Sequence, residues 1–287
     1  MFLTENGGVK VFVENFDETG RDNTMSKAMQ KHFSNIARKY RNIRTTDSEP
    51  ILLIVNKLNH LKYIEAVDVG CGAGRYDMLL YRYLGDRLNL ICLDANADML
   101  KNLSTYLTRH DIRNFSAKCS TAETMPFANN TLDCVLTFNA IHHFDLPRFL
   151  SESARVIRSG GYLFVYTRLR EQNSKNIWGL YFPQFNEKEN RLYSLNEVKQ
   201  SIDATADFVF ESIVFFAYSR MAALEQLMAR AHSHHYSTFL LYSPEELEEA
   251  LKGFSLNIKN EFKNPQQVHW FDENVLFIIR KKTKEYV

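Results

Sequence analysis

The residues with the clearest chemical use form a loop in which glycine recurs at every second position. The loop reads Asp68-Val69-Gly70-Cys71-Gly72-Ala73-Gly74 and follows a short apolar segment. Glycine allows the backbone to turn tightly and allows a ligand to approach where a Cβ would block it. A helix that begins directly after the loop would add unpaired N–H groups. The spacing therefore predicts a ligand-binding loop between a strand and a helix.

A nicotinamide dinucleotide site is the main alternative for this loop. Its fingerprint, G-x-G-x-x-G, would require glycine at position 75, which here is Arg75, whereas the third glycine is Gly74. The usual cradle for a pyrophosphate is therefore missing. The loop predicts a nucleotide-like ligand that carries no phosphate.

Asp94 is the second candidate binding residue, because it ends the next predicted strand. A carboxylate at this position can accept hydrogen bonds from both hydroxyl groups of a ribose. An aspartate at a strand end is often only a helix cap, so the residue means little by itself. Together with the glycine loop, it indicates a nucleoside.

Strands and helices alternate through the middle of the chain, which predicts a parallel sheet with helices on both faces. Spacing also predicts an N-terminal helix from Thr24 to Tyr40, a second helix over 50–62 and a weak strand near 9–13. The other predicted strands are 66–69, 88–93, 114–117, 133–138, 162–166, 208–216 and 274–279, and the other predicted helices are 76–84, 97–108, 147–157, 221–231 and 244–252.

Composition excludes several classes of partner. The 287 residues carry 35 basic and 34 acidic side chains, so a nucleic-acid partner, which favours a basic surface, is not expected. The apolar runs are too short to span a bilayer, which predicts no membrane partner. The four cysteines show no CxxC pairing and the chain shows no signal peptide, so we expect free thiols and a cytoplasmic protein.

These motifs resemble those of class I S-adenosylmethionine (SAM) dependent methyltransferases, in the small-molecule group that includes the ubiquinone-biosynthesis type. The matching segments are 32–40, 68–74, Asp94, 120–127, 132–143 and 155–161. The resemblance implies SAM as cofactor and an α/β fold: a Rossmann-like, seven-stranded, mostly parallel sheet with an N-terminal helix and a helical cap. The expected regions are 1–62 as cofactor-covering extension, 63–167 as SAM-binding core, 168–206 as cap, and 207–287 as remaining strands and further cap helices.

The resemblance also implies which residues hold the cofactor. Tyr40 would close over it, and Arg44 would either pair with its carboxylate or face solvent. The remaining expected cofactor-binding residues are Asp68, Gly70, Cys71, Gly72, Gly74, Asp94, Ala95, Thr121, Ala122, Glu123, Asn139 and His143. Thr121 departs from the family, which usually has an aspartate there for the adenine amino group. Its hydroxyl could accept the same hydrogen bond without charge, or Glu123 could compensate.

The methyl acceptor is less well defined. His142 is expected either to act as a base or orienting group or to pack the pocket, whereas packing is favoured for His143. Expected substrate-binding residues are Arg168, Arg170, Trp178 and Tyr193, and the two arginines favour an anionic acceptor. The alternative is that the aromatic residues, Tyr181 and Phe182 included, only pack the cap.

The sequence lacks the motifs that bind two known classes of methyl acceptor. The Asn/Asp-Pro-Pro-Tyr/Phe segment used for amino groups of nucleic-acid bases is absent after the fourth strand of the core, and no paired cysteines could hold arsenite. Histidines at 232, 234 and 235, with His269, raise a metal site as an alternative, but no third ligand is evident and no metal is expected.

The sequence thus predicts methyl transfer by in-line displacement to a small molecule, in a monomer or homodimer. The alternative function is a SAM-binding sensor or partner subunit without catalysis.

Overall fold

The computed structural model describes residues 11–13, 30–34 and 45–283. Tyr40 and Arg44, and most of the predicted N-terminal helix, lie outside the described residues. The chain divides into two compact units. Unit 1 comprises 1–167, 199–213 and 276–287, and unit 2 comprises 168–198 and 214–275.

Eight strands form one sheet in the order β1-β4-β3-β2-β5-β6-β8-β7. The strands are β1 Val11–Val13, β2 Ile64–Val69, β3 Leu88–Asp94, β4 Phe115–Cys119, β5 Leu132–Phe138, β6 Ile157–Thr167, β7 Phe208–Ala222 and β8 Val268–Lys281. Strands β1 to β6 are joined by parallel pairs. Strands β2 to β8 confirm the predicted seven-stranded, mostly parallel sheet, and the three-residue β1 adds an eighth strand at the edge.

Residues 30–34 are helical, as the N-terminal pattern predicts. The other α-helices are α1 Glu49–Lys57, α2 Arg75–Leu84, α3 Ala97–Arg109, α4 Leu146–Val156, α5 Arg170–Asn173, α6 Ile177–Tyr181, α7 Phe185–Lys188, α8 Leu195–Asp203, α9 Leu224–His232 and α10 Pro244–Glu261. Short 3₁₀ turns occupy Gly85–Arg87, Ile141–His143 and Ser237–Leu241.

The centre of the sheet explains why the binding loop is well placed. β2 pairs with β3 on one side and β5 on the other, and its apolar side chains Ile64, Ala66, Val67 and Val69 are fully buried. The carboxyl ends of these parallel strands carry the glycine loop, Asp94 and Asn139. In an open α/β sheet this is the edge at which ligands bind.

Several predicted boundaries are wrong in the C-terminal half. Helix α9 begins at Leu224 rather than at 221, because Met221 and Ala222 still belong to β7. Helix α10 continues to Glu261, nine residues beyond the predicted end, because its buried face repeats past Gly253 through Phe254 and Ile258. In the N-terminal half, α1 is shorter than predicted, because it ends at Lys57 instead of at 62.

Unit 2 has a core of its own, which is rich in aromatic side chains. Trp178 is 2% exposed and contacts the rings of Phe182, Phe185, Phe239 and Phe254. Within the described ranges, none of the helices combines the length and apolar character that crossing a membrane requires.

Candidate functional site

The glycine loop folds over the end of β3. The N–H groups of Gly70 and Cys71 both donate to the Leu93 carbonyl, at 2.8 and 3.2 Å. Gly70 has φ +73°, and a Cβ built there would lie 2.6 Å from Cβ of Ala140 and 3.0 Å from the Phe144 ring. Glycine at this position is therefore required by the left-handed backbone and by the close packing of Ala140 and Phe144.

Asp94 ties the loop to the third strand. Its Oδ2 accepts a hydrogen bond from the Gly72 N–H, and its Oδ1 accepts one from the Asn96 N–H, both at 2.8 Å. Burial raises the pKa of this carboxyl group, and the two hydrogen bonds oppose that rise. Each oxygen keeps one lone pair for a further donor. Asp94 can therefore position the loop and bind a ligand at the same time.

Asn96 was not predicted to take part, but it holds the N-terminal helical residues beside the loop. Its Oδ1 caps α3 by accepting from the Met99 N–H, and its Nδ2 donates to the Gln30 carbonyl and to Ser34 Oγ at 2.9 and 3.1 Å. The neighbouring Phe33 packs on the cluster formed by Ala73 and Met99. Asparagine is a favoured N-cap residue, so its position directly before the predicted helix 97–108 could have indicated this role.

Two carboxyl groups are buried directly behind the loop. Asp68 in β2 is 1% exposed and Asp77 in α2 is fully buried. Cys92 Sγ donates to Asp77 Oδ1 at 3.2 Å, whereas Asp68 Oδ1 and Asp77 Oδ2 have no hydrogen-bond partner among the described residues.

The ionisation of both groups reflects that position. Burial raises the pKa of Asp68 well above its usual range, and the nearby carboxylates of Asp77 and Asp94 raise it further. Burial also raises the pKa of Asp77 to about 7. The sequence singled out Asp68 but not Asp77, since helical periodicity does not reveal a buried acid in a first turn.

The predicted adenine-contact segment follows β4. The N–H of Ser120 donates to the Asp94 carbonyl at 3.2 Å, which places the segment beside the ribose candidate. Thr121 is exposed, with its Oγ1 3.3 Å from that of Thr124, and Ala122 is buried. Glu123 Oε1 accepts from the Asp145 N–H at 2.9 Å. One oxygen of Glu123 thus positions the start of α4.

The end of β5 carries the next group of candidates. Asn139 has φ +55°, and its N–H donates to the Tyr166 carbonyl at 2.7 Å. His142 and His143 follow in a 3₁₀ turn with ring centroids 4.0 Å apart; His142 is half-buried and His143 is exposed. Phe33 contacts the His143 ring edge-on at 5.6 Å.

An aromatic and acidic group nearby was missed by the sequence analysis. Tyr76 stacks on Phe138 at 4.3 Å and meets the buried Tyr166 at 5.9 Å. The Tyr166 hydroxyl donates to Asp47 Oδ2 at 3.2 Å. These residues are far apart in the sequence, and the parallel pairing of β5 with β6 places Phe138 opposite Tyr166.

The predicted substrate-binding residues all belong to unit 2. Arg168 pairs with Asp272 at 3.1 Å, and its guanidinium also donates to the Tyr236 hydroxyl. Arg170 is exposed and pairs with Glu197 at 3.2 Å, and its N–H donates to the Tyr193 carbonyl. Trp178 is a core residue, which favours the packing alternative for it.

The histidine group at 232–235 has ordinary structural contacts. His235 is buried against the Trp178 ring at 5.1 Å, and its Nδ1 lies 3.1 Å from the Arg230 carbonyl. His232 Nδ1 lies 3.9 Å from Glu248. Across residues 45–283 and the two shorter described segments, no three histidine, cysteine or acidic residues are arranged to hold a metal.

Comparison with known proteins finds a family match over the part of the chain that carries these residues. Residues 67–165 match a family described as a methyltransferase domain. The chain is 27% identical to the uncharacterized methyltransferase YcgJ of Bacillus subtilis over 131 residues, 45% of this chain and 51% of that protein. It is 30% identical to the ubiquinone biosynthesis O-methyltransferase of Parvibaculum lavamentivorans over 102 residues, 35% of this chain and 39% of that enzyme. The matched stretch thus spans about half or less of each of these relatives.

The solved structure of YcgJ shares the fold. It superimposes with a TM-score of 0.60 at 17% identity, covering 83% of this chain and all of YcgJ. Residues 67–165, which the family match covers, contain the glycine loop, Asp94 and the end of β5.

Proposed function

We propose that this protein, whose residues 67–165 match a methyltransferase domain, is a class I methyltransferase that transfers a methyl group from SAM to a small-molecule acceptor. The observation that carries the proposal is the link between the glycine loop and Asp94. It fixes the backbone of the glycine loop next to a carboxylate that still has lone pairs available.

The residues present fit this cofactor. The cofactor carries no phosphate, in keeping with a loop whose third glycine is Gly74, and its ribose hydroxyls match the free lone pairs of Asp94. Asp68 would support the loop from behind, where its carboxyl group is buried. Gly70, Cys71, Gly72, Gly74 and Ala95 would line the loop side.

Other predicted residues would complete the cofactor site. Thr121 and Ala122 would contact the adenine, with Glu123 serving mainly to anchor α4. Asn139 and His143 would border the site from the end of β5. Tyr40 and Arg44 remain predictions.

When bound, the cofactor supplies a methyl group on a sulfonium, which undergoes in-line displacement. The protein's own contribution is then to orient the acceptor and exclude water, and such positioning can supply up to ~7–11 kcal/mol. His142 is the candidate for holding a proton from the acceptor at an imidazole nitrogen, because it is half-buried in the 3₁₀ turn that follows Asn139. An acceptor without an acidic proton would need only orientation.

We expect the acceptor to be an anionic small molecule. This expectation rests on Arg168 and Arg170, since a guanidinium group suits a carboxylate or phosphate, and an anionic acceptor would have to compete with Asp272 and Glu197 for them. The near-zero net charge of the chain favours a small molecule over nucleic acid. Four free cysteines favour a reducing compartment such as the cytoplasm.

Calorimetry with SAM and its demethylated product tests the first step. We expect binding by the wild-type protein, and Asp94→Ala should weaken it by more than tenfold because the ribose loses its acceptor. Asp98→Ala is the matched control, since Asp98 is an exposed acid four residues further along. Absence of binding by the wild-type protein would overturn the proposal.

The second step is tested with methyl-labelled SAM and a metabolite extract. Transfer of label to a small molecule supports a methyltransferase. Tight binding without transfer to any component would support the alternative of a SAM-binding sensor.

A further inference from the structure

Strand β7 is an unusually long edge strand. It runs for 15 residues, from Phe208 to Ala222, and stands last in the sheet order. Among the described residues, no strand pairs with its outer side. Such an edge offers a row of backbone N–H and C=O groups to another strand, and natural proteins usually protect it with charge, proline or a bulge. The sequence of β7 contains no proline.

Three large apolar side chains stand exposed on one face of this strand. Val209 is 47% exposed, Phe215 57% and Met221 57%. They follow one another at intervals of six residues, and an even interval places them on the same face. Phe208 and Ala222, at the two ends of the opposite face, are buried.

The exposed face is symmetric about Phe215. If β7 met its own copy in antiparallel fashion with Phe215 opposite Phe215, Val209 would lie opposite Met221 in both halves of the pair. In the same register, Glu211 would lie opposite Ser219, so no two like charges would meet. Glu211 already forms an ion pair with Lys57, which balances its charge. A two-fold interface demands this kind of self-complementarity.

We propose that β7 is a homodimer interface, in which two copies of the chain pair their β7 strands antiparallel around a two-fold axis at Phe215. The backbone edges supply the hydrogen bonds, and the cross-strand pairs Phe215–Phe215 and Val209–Met221 supply apolar contact. A different protein partner would have no need for the symmetric spacing, which is why a second copy is the preferred occupant.

The oligomeric state of the full chain gives the first test. Light scattering after size exclusion should give twice the chain mass of 33.5 kDa for the wild type. Phe215→Lys should give the single-chain mass, because two ammonium groups would then face each other. Leu256→Lys is the matched control, since Leu256 is 59% exposed in α10, and it should remain dimeric. A monomeric wild type, or a dimer that Phe215→Lys leaves intact, would overturn the proposal.

The register is tested by disulfide capture. Directly opposite residues in an antiparallel pair have Cα atoms about 4.5–5.5 Å apart, within the range that a disulfide bridges. Phe215→Cys should therefore form a covalent dimer under mild oxidation. Ser219→Cys lies on the same face but should not, since its copy would be eight residues away along the strand, about 27 Å.

A covalent dimer formed equally by both variants, or by neither, would contradict this register. The wild-type chain, run under the same conditions, reports any contribution from its four native thiols.

Discussion

At the residue scale, Asp77 is the least expected feature of the site. It is a fully buried acid in the first turn of α2, and its Oδ1 accepts a hydrogen bond from the Cys92 thiol. Its pKa is raised to about 7 by burial, above the value near 4 expected in an unfolded chain. As the pH rises from about 4 to 7, the unfolded state releases this proton before the folded state does. Folding therefore loses stability over that window.

We expect Asp77→Asn to stabilise the fold, and to do so more at pH 8 than at pH 5, by on the order of 2 kcal/mol. The amide keeps an oxygen for Cys92 and carries no charge to bury. Urea unfolding at both pH values measures the difference, with the exposed Asp86→Asn as control. A gain that is the same at pH 5 and pH 8 would contradict the assignment.

Gly70 provides a second prediction at this scale. Gly70→Ala should reduce SAM affinity by more than tenfold and lower stability by about 1–3 kcal/mol, because the new methyl group meets Ala140 in a left-handed conformation. Gly160→Ala separates the two causes, since Gly160 has φ +76° but no atom closer than 3.5 Å to the added Cβ. Equal losses of stability from Gly70→Ala and Gly160→Ala would show that backbone strain alone is responsible.

The residues of the site divide by how visible they are in the sequence. The glycine spacing and Asp94 lie on consecutive strand ends, so pattern alone located them, and the loop geometry agrees. Asp77 and Tyr166 were not predicted as site residues, because the burial of a polar group depends on which other residues pack over it. Glu123 was expected at the adenine, but its Oε1 is bonded to the Asp145 N–H.

At the element scale, Lys281 secures the end of β8 to α4 and β6. It is 7% exposed, and its Nζ donates to the carbonyls of Ala154 and Ile157 and to Asn130 Oδ1, at 2.5, 2.7 and 2.7 Å. The ammonium group therefore satisfies carbonyl oxygens at the end of the helix, where a positive charge is also favoured.

Lys281→Met should lower the free energy of unfolding by about 2–3 kcal/mol, because it leaves these buried acceptors without a donor. Lys282→Met is the control, as Lys282 is exposed and donates to a single carbonyl, that of Ala206. Denaturant titration monitored by circular dichroism gives both values. Similar losses for the two lysines would contradict the anchoring role.

The element boundaries show where periodicity fails. Strands β2 to β6 are short and buried, so their apolar runs located them to within a few residues, although β6 begins five residues before the predicted 162. β7 and β8 extend beyond their predicted ends into segments in which half-buried and exposed residues alternate. In β7, aromatic and polar residues occur on both faces, so the two faces differ little in hydrophobicity. The predicted strand 208–216 therefore ended before the observed strand does.

At the scale of the whole molecule, both tryptophans, Trp178 and Trp270, belong to unit 2. Intrinsic fluorescence should therefore report the unfolding of that unit. Phe254→Ala removes a fully buried ring that stacks on Trp178 at 5.1 Å, so the fluorescence-detected stability should fall by about 3–5 kcal/mol. Leu256→Ala, an exposed position in the same helix, should change it by less than about 0.5 kcal/mol.

The fold class was predictable at this scale because the alternation of strands and helices admits few topologies. The division into two units was not, since unit 2 is assembled from 168–198 and 214–275, on either side of a segment that belongs to unit 1. The expected cap of 168–206, with further cap helices in 207–287, overlaps both of these pieces. No local signal joins α6 to the distant α10, whose aromatic contacts form the core of the unit.

The four cysteines have a practical consequence. Burial raises the pKa of every one of these thiols, to about 12 for Cys92 and above the ordinary value for Cys71, Cys119 and Cys134. Alkylating reagents and peroxide attack the thiolate form, which is scarce at neutral pH when the pKa is high. The native protein should therefore resist alkylation and oxidation during purification without a reductant. A single cysteine introduced at an exposed position would then take a maleimide dye almost alone.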